Sequence, residues 1–140
     1  MKTYIFSSIF LMFSLFATAD LQAQQMDGNK NNYVVLTTKV PQLQPIILTA
    51  EALKAEESDA FGDFQVIICG KDIGEVTDFE KMNQFIEKAE KAGVQLIACG
   101  FSLHKFKVDK SKVPSKMTIV ENGILYNFQL QKKGYKSLSL

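Results

Sequence analysis

The chain has 140 residues, with 16 Lys and Arg against 15 Asp and Glu, a formal net charge of +1 and 46% hydrophobic residues. That balance gives no electrostatic reason to expect nucleic acid or an anionic membrane surface as partner, and the length suits one domain. Two cysteines are too few for a disulfide scaffold.

Residues 1–23 read as a signal peptide. Lys2 supplies a positive n-region, Tyr4 to Ala19 an apolar h-region, and Leu21-Gln22-Ala23 a cleavage point, with Ala17-Thr18-Ala19 as a second candidate. Ser7, Ser8 and Ser14 interrupt a stretch already short of the ~20 residues a spanning helix needs. No Cys follows closely, so a lipid-attachment thiol is not expected. The predicted destination is outside the cytoplasm, with the periplasm first and secretion second. The mature chain is about 117 residues by this reading and carries no further membrane span. Lys2 and Asp20 cancel, so its formal charge stays +1. Residues 24–32 are polar, with Gly28 and three Asn, and read as a disordered leader, which leaves 33–140 as the folded domain.

Tyr33 to Thr38 is β-branched and apolar, a strand expected to be buried on both faces. Pro41 and Pro45 mark a turn and a helix entry, after which Ile46, Ile47, Ala50 and Leu53 follow helical spacing. Ser58 to Asp63 reads as a loop and Phe64 to Cys69 as a second buried strand, stopped by Gly70. Thr77 with Glu80 suggests a capping box opening a helix. Phe79, Met82, Phe85, Ile86 and Ala89 form its apolar stripe, Glu87 can pair with Lys91, and Gly93 ends it. Val94 to Ala98 is a short strand with Cys99 at its end, followed by a short helical stretch, Ser102 to Phe106. Met117 to Val120 is a fourth strand, and Asn122-Gly123 turns into a helix over Ile124 to Lys133 with apolar residues on more than one side. Tyr135 to Leu140 alternates as a fifth, edge-like strand. Alternating strands and helices predict a parallel sheet covered on both faces.

In open sheets of this kind chemistry gathers beyond the carboxyl ends of the strands, and Cys69 and Cys99 both fall at such ends. Cys99 is placed at or just before a helix N-terminus, where unpaired N–H groups favour a thiolate. The competing reading is a small buried hydrophobe. Phe64 and Val94 open their strands, and each cysteine lies five residues further along. If the strands are neighbours in that register, the thiols sit side by side on one face and Cys69 becomes a candidate resolving thiol. One residue out of register, they never meet. His104, the only histidine, reads as a surface or half-buried side chain; in a functional role, it or Lys105 would supply positive charge near Cys99. Two Cys and one His lack paired ligand spacing, there is no Cys-x-x-Cys, and no Gly pattern cradles phosphate, so neither metal nor cofactor is expected. Asp72, Glu75 and Asp78 read as a solvated loop and helix start.

Gly93-Val94…Ala98-Cys99-Gly100…Leu103, Val120…Gly123 and Leu130-Gln131…Gly134-Tyr135 resemble the DsrE/DsrF-like family of small proteins named for sulfur metabolism, and Val66-Ile67-Ile68-Cys69-Gly70 is similar to its second strand. The resemblance spans the mature domain. It implies a three-layer α/β/α sandwich with a five-stranded parallel sheet and a homo-oligomer, with a trimer as the first expectation. It also implies that Cys99 matches the position that carries a persulfide in sulfur-relay members. Cys69 departs from the pattern, because many relatives carry His or Tyr there. Two functions therefore stand side by side: a sulfur carrier or sulfurtransferase acting through Cys99 with a donor or acceptor protein, and a non-catalytic oligomeric binding or assembly domain in which Cys99 is packed.

Overall fold

A computed structural model describes residues 30–140; the predicted signal peptide and most of the predicted leader lie outside them. The chain forms β1 (Asn31–Thr37), α1 (Leu43–Glu57), β2 (Phe61–Ile68), α2 (Phe79–Ala92), β3 (Val94–Cys99), α3 (Gly100–Lys105), β4 (Thr118–Val120), α4 (Gly123–Lys132) and β5 (Lys136–Ser139). Short 3-10 turns cover Val40–Gln42, Ser58–Ala60, Lys71–Thr77 and Lys110–Lys112. The five strands make one parallel sheet in the order β4-β3-β2-β1-β5. This is the predicted α/β sandwich, with β5 at an edge.

The order explains how the two faces are covered. Steps from β1 to β2 to β3 all move one way, so right-handed crossovers put α1 and α2 on the same face. The larger core lies there, built on Phe64, Val66, Ile68, Leu96 and Ala98 against Leu43, Ile47, Met82 and Ile86. The return from β4 to β5 crosses back over the sheet, so α4 covers the other face. A smaller core forms beneath it from Val34, Ile67, Ile97, Leu130 and both cysteines.

Several boundaries differ from the sequence reading, each for a local reason. β1 starts at Asn31, inside the predicted leader, because Asn31 pairs with Phe61 and the Asn32 side chain accepts a hydrogen bond from the Asp63 N–H at 2.7 Å. Polar residues join the strand through side-chain bonding that a hydrophobicity pattern does not register. β2 likewise starts at Phe61, within the predicted loop, where the Phe61 ring stacks on Tyr33 and Phe64. The cap of α2 is Asp78, whose carboxylate accepts from the Lys81 N–H; Thr77 instead donates its hydroxyl to the Gly74 carbonyl. With the cap one residue later, Phe79 becomes the first helical residue and points outward, 69% exposed, instead of joining the apolar stripe. Glu87 accepts from the Asn83 side chain. α1 begins two residues before Pro45, which occupies its first turn, where a missing N–H costs little. Gly93 ends α2 in the left-handed conformation, φ 76°.

The revised cap gives a stability test. Asp78→Ala is expected to lower the unfolding free energy by about 1 kcal/mol in urea titration, the usual worth of an N-cap. Glu80→Ala, which a Thr77 capping box would make comparably costly, should stay within about 0.5 kcal/mol of wild type.

Candidate functional site

The β2–β3 pairing runs Phe64↔Val94, Gln65↔Gln95, Val66↔Leu96, Ile67↔Ile97 and Ile68↔Ala98. The next residues along are Cys69 and Cys99, so the register conjectured from the sequence is the one observed. Both thiols lie on the α4 face, in the core containing Ile67 and Ile97. Both are reduced and buried, Cys69 at 6% exposure and Cys99 at 3%.

The two sulfurs differ in what reaches them. Cys99 is the last residue of β3 and the N-cap of α3, with extended backbone dihedrals. Ser102, one turn into α3, is buried; its hydroxyl oxygen accepts the Gly70 N–H at 3.0 Å, and its side chain is among the groups that lower the Cys99 thiol. From the opposite side the Gly123 N–H, at the start of α4, donates to Cys99 Sγ at 3.3 Å. Burial by itself pushes the Cys99 thiol up. Hydrogen bonds from the Ser102 side chain, from the backbone of Gly123 and Ser102, and from Cys69 outweigh that burial and leave Cys99 below the ordinary thiol range. Cys69 has no comparable donors. Burial, the facing charge of Cys99 and the hydrogen bond to it push Cys69 up to about 12. The pair is therefore asymmetric: Cys99 loses its proton more readily than Cys69.

Gly123 permits this arrangement. A Cβ there would stand 2.5 Å from Cys69 Sγ, 2.8 Å from Ile67 Cγ2 and 3.1 Å from Cys99 Cβ. Only the bare backbone lets the end of α4 come within donating distance of the sulfur. Asn122 caps the helix, its side-chain oxygen accepting from the N–H groups of Ile124 and Leu125.

Above the thiols opens a pocket of about 340 Å³, lined by Cys69, Cys99, Gly70 and Ser102 with Leu36, Thr38, Phe101, Lys105, Phe106, Asn122 and Ile124. The low exposure of Cys99 is thus that of a pocket floor. His104 is exposed on α3 and does not line the pocket, whereas its neighbour Lys105 does. Of the positive charges considered from the sequence, Lys105 is the one placed at the site. Asp72, Glu75 and Asp78 sit along the 3-10 turn and helix start after β2 and contribute nothing to the pocket lining. Among the described residues no group of three or more His, Cys, Asp or Glu is placed to hold a metal ion. None of their helices is long and apolar enough to cross a membrane.

Sequence reasoning missed Ser102 and Gly123 as functional groups. Gly123 was legible only as a turn residue, because the return of α4 across the carboxyl ends of β2 and β3 is a tertiary fact. Ser102, three residues after Cys99, sits where a helical turn brings a hydroxyl back to its cap. That spacing was available as a signal.

No family model and no curated protein matches the chain. Among solved structures it is similar to MTH1491, a protein of unknown function from Methanobacterium thermoautotrophicum. The TM-score is 0.60 at 12% identity, over 79% of this chain and 99% of that one. It is also similar to BT1422, a conserved protein of unknown function from Bacteroides thetaiotaomicron. Here the TM-score is again 0.60, at 19% identity, over 79% of this chain and 95% of the other. At these identities the likeness establishes the fold.

Alkylation kinetics test the asymmetry. The rate of Cys99 with iodoacetamide should rise with pH through a midpoint below the ~8.5 of a free cysteine. In Ser102→Ala the midpoint should move up, slowing the reaction at neutral pH. Gly123→Ala should both raise the midpoint and destabilise the fold by about 1–3 kcal/mol, as overpacking does.

Proposed function

We propose that this chain is an exported sulfur carrier of the DsrE-like kind, which accepts a sulfane sulfur on Cys99 as a persulfide and passes it to a partner thiol. The observation carrying this reading is the Cys99 sulfur at the pocket floor, held below the ordinary thiol range by Ser102 and Gly123. Sulfur exchange needs a thiolate, access and an adequate leaving group. The donors that stabilise a thiolate also stabilise it when it leaves, so the same groups serve loading and unloading. A cysteine used for packing needs none of them.

Cys69 is the resolving thiol in this scheme, discharging a persulfide that no partner thiol has taken up. Its sulfur attacks Cys99 Sγ of the persulfide, and the bond to the outer sulfur breaks with its electron pair on that sulfur. The Cys69 proton goes with it, so hydrogen sulfide leaves and a Cys69–Cys99 disulfide remains. A dithiol reductant then restores both thiols. The high pKa of Cys69 keeps its proton in place when Cys99 ionises, and so reserves Cys69 for the loaded state.

Exposed apolar residues on α4 support self-association as part of the same reading. Ile124, Leu125 and Phe128 are each more than half exposed, and an apolar patch of this kind marks an interface. A homotrimer is the expected state. A monomeric mass by light scattering at micromolar concentration would argue against it. That result would also remove the chief support for the second reading, an assembly domain with a merely packed Cys99.

Intact mass after polysulfide treatment should show an adduct of about 32 Da, one sulfur, on wild type and none on Cys99→Ser. Wild type that alkylates at Cys99 yet takes up no sulfur ends the proposal. Cys69→Ser should lengthen the lifetime of the adduct, whereas an unchanged lifetime removes Cys69 from the scheme. Protein recovered after export should begin near Gln24, and retention of Met1 would contradict the export reading.

A further inference from the structure

The walls of the pocket are more informative than its floor about what enters it. Phe101 and Ile124 are each 59% exposed and Phe106 is 39% exposed, and Leu36 completes an apolar surround. The neutral polar groups are largely committed elsewhere. Asn122 Oδ1 holds the Ile124 and Leu125 N–H groups, and Ser102 Oγ holds the Gly70 N–H. Among the described residues one charged side chain lines the pocket, Lys105. Its ammonium lies 5.8 Å from the centroid of the Phe106 ring. Neither ion pair found among the described residues involves it. A cavity with apolar walls and one free cation is complementary to an organic anion bearing a single charge.

An inorganic donor is small enough to reach Cys99 but gains nothing from these walls. Thiosulfate is a strongly hydrated dianion that removes no apolar area from water, and the space of about 340 Å³ far exceeds one sulfur atom. An aryl or branched alkyl group would cover Phe101, Phe106 and Ile124 and leave its anionic head between Lys105 and Cys99.

We infer that the sulfur donor is a small organic sulfane compound with an apolar body and one anionic head, of the thiosulfonate class, an inference that rests on the sulfur-carrier reading of Cys99. The Cys99 thiolate attacks the terminal sulfane sulfur. The bond from that sulfur to the sulfonyl sulfur breaks with its electron pair on the sulfonyl side, so a sulfinate leaves. Cys99 then carries the persulfide anion. Two negative charges enter the step and two emerge, with no external oxidant or reductant.

Benzenesulfinate, the unreactive product, isolates binding from chemistry. Titrated into the purified protein, it should give saturable amide NMR shifts at Gly70, Phe101, Lys105 and Asn122. Methanesulfinate should bind about tenfold more weakly, the difference an apolar pocket makes. Lys105→Gln and Phe101→Ala, both at exposed positions, should each weaken benzenesulfinate by about fivefold or more. Absence of saturable shifts, or equal affinity for the two sulfinates, overturns the inference and leaves the walls to a macromolecular neighbour. In a second arm, persulfide formation on Cys99 from benzenethiosulfonate and from thiosulfate is compared, each rate normalised to free cysteine. A preference of about tenfold for the aryl donor, lost in Phe101→Ala, supports the inference. If benzenesulfinate binds but no donor loads Cys99, the pocket assignment stands and the sulfur-carrier reading falls. If thiosulfate loads Cys99 as readily and benzenesulfinate does not bind, the reverse holds.

Discussion

The pairing of Phe64 with Val94 is the constraint from which the site follows. Parallel strands in that register carry Ile67 and Ile97 to one face and Ile68 and Ala98 to the other, so the residues that follow, Cys69 and Cys99, return to the Ile67 face together. A slip of one residue in β2 alone would send Cys69 to the α1–α2 side and separate the thiols by the thickness of the sheet. Such a slip would also exchange Phe64, Val66 and Ile68, which fill the larger core, for Gln65, which bonds to Tyr126 on the α4 side. Core packing thus holds the register, and the register holds the thiols together.

Adjacent and both buried, the two cysteines become chemically different because of what the chain does next. After Cys99 it goes straight into α3, so Ser102 returns to the sulfur within one turn. After Cys69 it bends through Gly70, at φ 91°, into a 3-10 turn. The first N–H past Cys69, that of Gly70, goes to Ser102 Oγ and not to the Cys69 sulfur. Ser102, anchored by this bond, is also the strongest influence lowering the Cys99 thiol. The loop after β2 therefore leaves Cys69 without a donor and, through Ser102, helps supply one to Cys99. Burial raises both thiols; the supply of donors separates them.

The strand–helix order, the parallel sheet and the positions of both cysteines were legible from β-branched runs and Gly stops, because those signals are local. Even the register was available, since Phe64 and Val94 begin equivalent apolar runs. What escaped was fixed by contacts between distant segments. Asn31 and Asn32 join β1 through Phe61 and Asp63, some thirty residues away. Phe79 left the predicted stripe because the choice between Thr77 and Asp78 as cap depended on Gly74 offering its carbonyl to Thr77. His104 and Lys105 were indistinguishable as neighbours of Cys99 until the turn of α3 put Lys105 on the pocket side. Gly123, twenty-four residues after Cys99, reaches the sulfur only through the crossover of α4.

That crossover has to be held accurately, since a donor at 3.3 Å tolerates little drift. α4 makes few apolar contacts with the sheet: of its large apolar side chains only Leu130 is fully buried, while Ile124, Leu125 and Phe128 face outward. The remaining anchorage is polar and lies at the opposite end of the strands. Tyr126 donates to Gln65 at 2.9 Å, and Tyr135, just past the helix, donates to Asp63 at 2.6 Å. Asp63 also accepts from the side chains of Gln65 and Gln95, and Asn127, buried within α4, accepts from Ser137 on β5. Burial and the bond to Asp63 raise the Tyr135 phenol above its ordinary value, so it stays a donor throughout the physiological range. Because these groups are directional, they set the position of the helix along the sheet as well as its distance from it, which apolar packing by Leu130 alone could not do. The helix then acts as a strut: fixed by hydrogen bonds near the amino ends of the strands, it delivers the Gly123 N–H to the thiol at their carboxyl ends.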